Sequence, residues 1–249
     1  MFIAHLGVGL AGKRLAPRAS LGVLLIACQA LDILCGLFMV TGIEHMKVTP
    51  GITKVTPLEF VSYPWSHGLL MSLVWSALAA AAALRFYRER RAALVVGALV
   101  FSHWVLDWIS HRPDLPLLFG GSSKVGLGLW NHFAGSLLVE FALFGAGVLV
   151  VLWSTQPRDR VGAWAFGSFV VFFTGLFLLN EFGPPPPVDL HQPLLALPIL
   201  VFVFLLPWGH WIERHRVVRD GVAGAVPEPT ARRAPATGAP PLATRGGHR

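Results

Sequence analysis

The sequence predicts an all-α fold, a polytopic membrane helical bundle of about six transmembrane helices with an N-terminal half-helix. Of the 249 residues, 54% are hydrophobic and only 13% are charged, and the mean hydropathy is +0.62. Soluble domains carry about 25% charged residues. Long apolar runs alternate here with short Arg-rich connections, and a helix needs roughly 20 apolar residues to cross about 30 Å of hydrocarbon. The lipid bilayer is therefore the expected solvent.

The apolar windows set the expected spans. They lie near residues 20–42, 66–86, 92–111, 127–153, 162–181 and 193–213. Each is expected to be helical, because lipid offers no partner to an unpaired backbone group. A lipoprotein signal cleaved before Cys28 is a weaker interpretation, since the apolar run continues to Val40. On one helix Cys28 and Cys35 would be roughly 10 Å apart, too far for a disulfide.

Two further segments have expected roles at the membrane. Residues 2–12 are apolar but too short to span, so they are expected to enter the membrane from the cytoplasmic side as a half-helix that brings His5 near the midplane. The alternative is an amphipathic helix lying on the surface. The long connection 41–65 contains three prolines and is expected to fold over the outer face as a lid.

Basic residues predict the orientation. They occur before the first span and after the second, fourth and sixth spans, whereas residues 181–192 contain neither Lys nor Arg. The positive-inside rule then places both termini in the cytoplasm, as a multi-pass protein of a bacterial inner membrane. Residues 1–219 form the expected membrane-embedded domain, and residues 220–249 a disordered basic Pro/Ala/Gly-rich tail. The net charge of +7 does not indicate nucleic-acid binding, because the basic residues form no face interleaved with aromatics.

On this topology nearly all intramembrane polar residues fall in the outer half. A charged side chain at mid-membrane costs about 2.5–3.5 kcal/mol on insertion scales. Asp32, Asp107 and Glu140 therefore need partners, and such acids are candidates for function. The alternative is that each acid pairs locally with a histidine or a hydroxyl and serves packing, and this is favoured for Glu140, which has no neighbouring motif.

The sharpest local pattern is His103, Asp107 and His111, which lie at positions i, i+4 and i+8 of the third span. These positions share one helical face and can offer imidazole and carboxylate ligands to zinc. The side chains of His5, Asp32 and His67 can complete that shell or build a second one. More than four candidate ligands allow one or two ions, and a two-metal site would activate water with one ion and stabilise charge with both.

Two other chemistries are less favoured. Ser66-His67 and Ser102-His103 place serine beside histidine, but adjacent helical residues are expected to point apart, which argues against a serine nucleophile. The segment Gly126-Leu127-Gly128 lacks the Lys-Ser/Thr of a phosphate-binding loop.

A string of short motifs lies along the chain: Phe2-Ile3-Ala4-His5, Leu31-Asp32, Tyr63-Pro64-Trp65-Ser66-His67-Gly68-Leu69-Leu70, Ser102-His103-Trp104-Val105-Leu106-Asp107, His111-Arg112-Pro113-Asp114-Leu115-Pro116-Leu117 and Gly126-Leu127-Gly128-Leu129-Trp130-Asn131. With these motifs the sequence resembles a bacterial family described as predicted membrane-bound metal-dependent hydrolases. The resemblance runs along most of the chain up to about Arg216. The sequence departs from the family pattern at Gly68, where serine is usual, and at His132, where a small polar residue is more usual.

The resemblance implies metal-ligand roles for five residues and places two more nearby. The implied ligands are His5, Asp32, His67, His103 and Asp107, with His111 and Asp114 close to them. The resulting hypothesis is a metal-dependent hydrolase, with zinc as the expected metal, acting on a lipid-like or amphipathic substrate. The expected catalytic group is Glu44, His111 and Asp114, with Glu44 or His111 as general base. The alternatives are a permease or proton- or cation-coupled transporter that uses the same cluster, and a non-catalytic scaffold.

Overall fold

A computed structural model describes residues 1–119 and 123–219 of the chain, most of which are helical. The α-helices are α1 (Ile3–Leu15), α2 (Leu21–Cys28), α3 (Ala30–Val40), α4 (Pro64–His67), α5 (Leu69–Tyr87), α6 (Arg90–Ser110), α7 (Phe133–Ser154), α8 (Arg160–Phe182), α9 (Gln192–Ala196) and α10 (Leu205–Arg214). Two 3₁₀ helices cover Leu129–Asn131 and Leu197–Phe204. The predicted tail, residues 220–249, lies outside the described residues.

The long apolar helices agree with the predicted membrane spans. Within the described ranges, five segments are long and apolar enough to cross a bilayer: α5, α6, α7, α8 and the run Gln192–Arg214. The helices α2 and α3 pass the same test only as a pair, which is bent by 59° at Gln29, so counting the pair as one span gives six. The fold is compatible with the expected helical bundle. The break in the first span is a feature that the sequence did not predict.

The N-terminal helix α1 is packed inside the bundle. It contacts α7, α2 and α6, and Ile3, Leu6 and Leu10 are fully buried. Its 13 residues measure about 20 Å at 1.5 Å per residue, which is shorter than the hydrocarbon thickness. The segment therefore has the length of the expected half-helix, and its burial does not fit a helix that lies on the membrane surface.

Small residues allow α1 and α7 to approach closely, and this contact gives a first prediction. A Cβ on Gly7 would overlap the Leu143 carbonyl group, so Gly7→Ala must push α1 away from α7. We expect a loss of stability of about 1–3 kcal/mol, seen as a lower thermal unfolding midpoint in detergent. At Gly145 a Cβ would meet nothing within 4 Å in the described part of the chain, so Gly145→Ala is the control. An unchanged midpoint for Gly7→Ala would contradict the helix contact.

Short strands, which the sequence did not predict, tie connections together. The described residues form three two-stranded antiparallel sheets: β1 (His45–Val48) with β2 (Leu58–Ser62), β3 (Leu115–Pro116) with β4 (Lys124–Val125), and β5 (Thr155–Pro157) with β6 (Arg216–Val218). The β1–β2 hairpin occupies the connection expected to form a lid. Met46 and Val48 on β1 are buried against Met39 of α3 and Leu195 of α9, so this connection is packed on the bundle.

Basic residues from distant parts of the sequence gather at one end of the bundle. Lys13 forms an ion pair with Glu213, and the Arg216 guanidinium donates to the hydroxyl and the carbonyl of Thr155. The Arg14 guanidinium lies over the Trp153 ring. These basic residues lie at the same end of the bundle, as the predicted orientation requires. That this end faces the cytoplasm stays a prediction.

Candidate metal centre

All five predicted metal ligands come together in the interior of the bundle. The Nε2 atom of His103 lies 3.2 Å from Asp107 Oδ2 and 3.5 Å from Asp32 Oδ1. The Nε2 atom of His67 lies 3.4 Å and 3.6 Å from the same two oxygens. His5 approaches the other oxygen of Asp107, with Nε2 3.2 Å from Oδ1. The imidazoles and Asp107 are buried, whereas the Asp32 side chain is 24% exposed.

Local helix geometry explains how these side chains meet. His103 and Asp107 are one turn apart on α6 and therefore share a face. The break at Gln29 places Asp32 in the first turn of α3, where the helix dipole favours a carboxylate. His67 ends α4, and a Cβ at Gly68 would overlap the Pro64 carbonyl oxygen. The tight turn between α4 and α5 therefore requires a residue without a Cβ atom at position 68.

A hydrogen bond at Nδ1 fixes the orientation of His103. Its Nδ1 lies 2.8 Å from the Cys28 carbonyl oxygen, which accepts but cannot donate, so Nδ1 carries a hydrogen, and in the neutral ring Nε2 carries the lone pair. The Cys28 carbonyl is at the end of α2, where helical carbonyls lack an intrahelical partner. The helix break therefore supplies the group that turns the lone pair of His103 toward the carboxylates.

A chain of three side chains fixes the orientation of His67. Its Nδ1 lies 2.8 Å from the Ser66 hydroxyl oxygen, which in turn lies 2.6 Å from Glu44 Oε2. The hydroxyl donates to the carboxylate, so His67 Nδ1–H donates to the hydroxyl, and in the neutral ring Nε2 again carries the lone pair. The expectation that Ser66 and His67 point apart was wrong, because α4 is only four residues long. The serine is nevertheless engaged by Glu44, which does not favour a role as nucleophile.

In their neutral form both imidazoles present a lone pair at Nε2 to carboxylate oxygens, so each contact requires either a proton or a metal cation between the two groups. Within the described ranges His103 Nε2 has no hydrogen-bond partner, and a buried acceptor without a partner costs free energy. Around a tetrahedral ion bound at about 2.0–2.2 Å, neighbouring ligand atoms are about 3.3–3.6 Å apart. The four separations of 3.2–3.6 Å between His67 or His103 and the two carboxylates fit these values. The candidate ligands form two overlapping groups of three that could each hold a metal ion, His5 with His103 and Asp107, and Asp32 with His67 and His103.

Glu44 lies beside the centre and does not face it. The carboxylate is fully buried, and its Oε1 accepts hydrogen bonds of 2.8 Å from the backbone nitrogens of Trp65 and Ser66. Its Oε2 is occupied by the Ser66 hydroxyl. Glu44 thus caps the start of α4 and reaches the centre only through Ser66 and His67. This arrangement disfavours the expected role of Glu44 as general base and favours a positioning role.

His111 and Asp114 form a second chain at the edge of the centre. The Nε2 atom of His111 lies 4.0 Å from Asp107 Oδ2, and its Nδ1 lies 3.0 Å from Asp114 Oδ1. The hydroxyl of Tyr63 donates to the same oxygen of Asp114, and Arg112 Nε donates to the other. Burial raises the pKa of Asp114, but the hydrogen bonds from His111 and Tyr63 and the charge of Arg112 outweigh it and hold this pKa below its usual value.

Glu140 has a partner that the sequence did not suggest. Its two carboxylate oxygens accept hydrogen bonds from the backbone nitrogens of Phe2, at 2.7 Å, and Ala4, at 2.8 Å. The carboxylate thereby satisfies nitrogens that are free at the start of a helix. Glu140 holds the start of α1, and with it His5, beside α6. The prediction that Glu140 pairs locally with a histidine or a hydroxyl was wrong, because its partners are backbone nitrogens more than 130 residues away.

Comparison with known proteins gave no significant match to any protein-family model, curated protein or solved structure. The case for function therefore depends on the geometry of this centre.

Proposed function

We propose that the chain is a membrane-bound metal-dependent hydrolase whose centre is formed by Asp32, His67, His103 and Asp107. The observation that carries the proposal is the set of imidazole Nε2 atoms that face carboxylate oxygens across separations of 3.2–3.6 Å. Zinc is the proposed metal, because it accepts nitrogen and oxygen ligands in tetrahedral geometry. A bacterial inner membrane with both termini in the cytoplasm is the proposed location.

Each neighbouring side chain has a proposed role in the reaction. A metal ion held by these residues would supply Lewis-acid activation of water. His111, on the edge of the centre, would accept the proton of that water at Nε2 as general base, and Asp114 holds the ring through Nδ1. The Glu44 carboxylate acts through Ser66 to orient His67.

The exposure of Asp32 supports a lipid-like substrate. Among the five candidate ligands it alone is substantially exposed, at 24% of its side chain. Its neighbours on α3 are apolar: Ile33 and Leu34 are half-buried and Leu37 is exposed. A partly exposed carboxylate beside apolar side chains in a membrane span favours an amphipathic molecule whose polar part reaches Asp32.

The proposal is tested on protein purified in mild detergent. We expect bound zinc and turnover on at least one member of a panel of phospho- and carboxyl-ester lipids, with turnover lost on chelation and restored by zinc. Short-chain, water-soluble esters of the same kinds should be turned over more slowly. A preparation that binds no divalent metal under these conditions would overturn the proposal.

Transport is the second candidate, and the broken helix is the observation that favours it. Discontinuous helices near the midplane are typical of secondary transporters. The sequence alone did not predict a broken helix in this chain. The α2–α3 pair is broken at Gln29, whose buried amide has no hydrogen-bond partner among residues 1–119 and 123–219. Proton or zinc flux in proteoliposomes without ester turnover would favour this candidate. A scaffold would instead tolerate Asp32→Asn and Asp107→Asn in a cellular assay.

The positioning role of Ser66 gives a second prediction. Ser66→Ala removes the hydroxyl between Glu44 and His67, so the ring loses the hydrogen bond that orients it. Loss of such a partner typically weakens metal affinity about 10–100-fold, measurable by competition with a chelator of known affinity. Ser168→Ala, whose hydroxyl bonds only the Ala165 carbonyl of its own helix in the described structure, should leave affinity unchanged. Equal affinities for the two variants would remove Ser66 from the proposal.

A further inference from the structure

We propose that the centre holds two metal ions, with Asp107 as the carboxylate that bridges them; this inference rests on the proposed function. The described residues contain two overlapping groups that can hold an ion, His5 with His103 and Asp107, and Asp32 with His67 and His103. A single ion accounts for the imidazoles beside Oδ2, whereas His5 Nε2 meets Oδ1 through a hydrogen bond of 3.2 Å. A second ion would replace this hydrogen bond.

The two oxygens of Asp107 face different imidazoles. Oδ2 lies 3.2 Å from His103 Nε2 and 3.4 Å from His67 Nε2. Oδ1 lies 3.2 Å from His5 Nε2. A carboxylate that presents one oxygen to each of two ligand sets is arranged to bridge two cations.

The stacking of His5 on His103 sets the spacing of the two ions. The ring centroids are 3.8 Å apart and the planes differ by only 3°. An imidazole binds a metal in its own plane, and both Nε2 atoms approach the same carboxylate, so the two lone pairs point to the same side. Ions bound in these parallel planes would be separated by about the distance between the rings. Two-metal hydrolytic sites have separations of about 3.5–4 Å, which agrees with the stack.

The two ions should differ in affinity. The first has the group Asp32, His67 and His103, with Asp107 Oδ2 close to both imidazoles. Both histidine rings are held by partners at Nδ1, and His103, which both groups share, is assigned to this ion. The second has His5 and Asp107 Oδ1, with remaining positions open to water or substrate. Within the described ranges His5 Nδ1 has no partner, so its ring lacks the hydrogen bond that normally fixes a metal-binding histidine.

A contact of Asp107 Oδ1 further weakens the second position. The Met1 nitrogen lies 2.6 Å from this oxygen and 3.3 Å from the Ser110 hydroxyl oxygen. Met1 is ion-paired with Asp107 through its ammonium group, so the second ion must displace this positive charge from Oδ1. We therefore expect the ion beside His5 to be lost first during dilution or chelation.

The experiment counts ions and tests whether they are coupled. Purified full-length chain is loaded with Mn²⁺, freed of excess metal, and analysed by elemental analysis and electron paramagnetic resonance. We expect about two ions per chain and the spectrum of an exchange-coupled pair, as for ions about 3.5–4 Å apart. His5→Ala should retain about one ion with an uncoupled spectrum. His210→Ala, an exposed histidine on α10, is the matched control and should retain the coupled pair.

The outcomes separate this inference from the proposed function. One ion per wild-type chain with an uncoupled spectrum overturns the second ion and leaves a mononuclear hydrolase standing, whereas no bound ion overturns both. A coupled pair that persists in His5→Ala also overturns the assignment of the second ion. His5→Gln, which keeps a polar side chain in the buried position, replaces His5→Ala if the alanine variant does not fold.

Discussion

Asp107→Asn is expected to abolish stoichiometric metal binding and to lower turnover by at least about 10³-fold, equivalent to about 4 kcal/mol of transition-state stabilisation. Both oxygens of Asp107 lie within 3.2 Å of an imidazole Nε2. An amide removes the negative charge and replaces one oxygen by an NH₂ group, which cannot ligate a cation. Metal per chain and turnover are measured on the same purified sample.

A conservative change elsewhere gives the control for this result. Asp189→Asn makes the same chemical change at an exposed acid in the connection between α8 and α9, and it should retain wild-type metal content and turnover. The Asp107 variant must also show the wild-type helical circular dichroism spectrum, so that loss of metal is not loss of fold. A folded Asp107→Asn protein with undiminished metal and turnover would show that the carboxylate is not a ligand.

The fold could be predicted to the extent that it follows from local composition. Helices α5, α6 and α8 begin and end within a few residues of the predicted windows, because a span is a property of a continuous apolar run. The break at Gln29 could not be predicted, since neither glycine nor proline marks it. At the break, the Cys28 carbonyl accepts a hydrogen bond from His103 Nδ1 in place of the intrahelical bond of an unbroken helix. This partner is 75 residues away in the sequence.

The sequence alone predicted which residues are candidate ligands, but it did not predict the hydrogen bonds that hold them in place. The spacing of His103 and Asp107 on one helical face needs no knowledge of the rest of the fold. By contrast, Glu140 is more than 130 residues from the backbone nitrogens of α1 that it binds. The role of Glu44 likewise depends on how α4 approaches the end of α3. Acids whose partners are backbone groups leave no pattern of side chains in the sequence.

His111→Ala is expected to lower kcat by about 10²–10⁴-fold, the range for loss of a general base, while bound metal and KM remain close to wild type. The expectation follows from the distances to Asp107 Oδ2. The Nε2 atom of His111 lies 4.0 Å from this oxygen, whereas the Nε2 atoms of His67 and His103 lie 3.4 Å and 3.2 Å from it. His111 therefore lies one step outside the set of ligands, where a base can reach water at the centre. Kinetics and elemental analysis of the same preparation measure both quantities.

Comparison with neighbouring variants decides whether His111 is a base or a ligand. Asp114→Asn keeps a side chain that can accept from His111 Nδ1 but removes the charge that stabilises a protonated ring, so its kcat should fall less than that of His111→Ala. His103→Ala should lose metal and activity together. If His111→Ala behaves like His103→Ala, the ring binds the ion directly, and the base must be sought elsewhere around the centre. A fall in kcat with metal retained would instead separate the group that moves the proton from the groups that hold the ion.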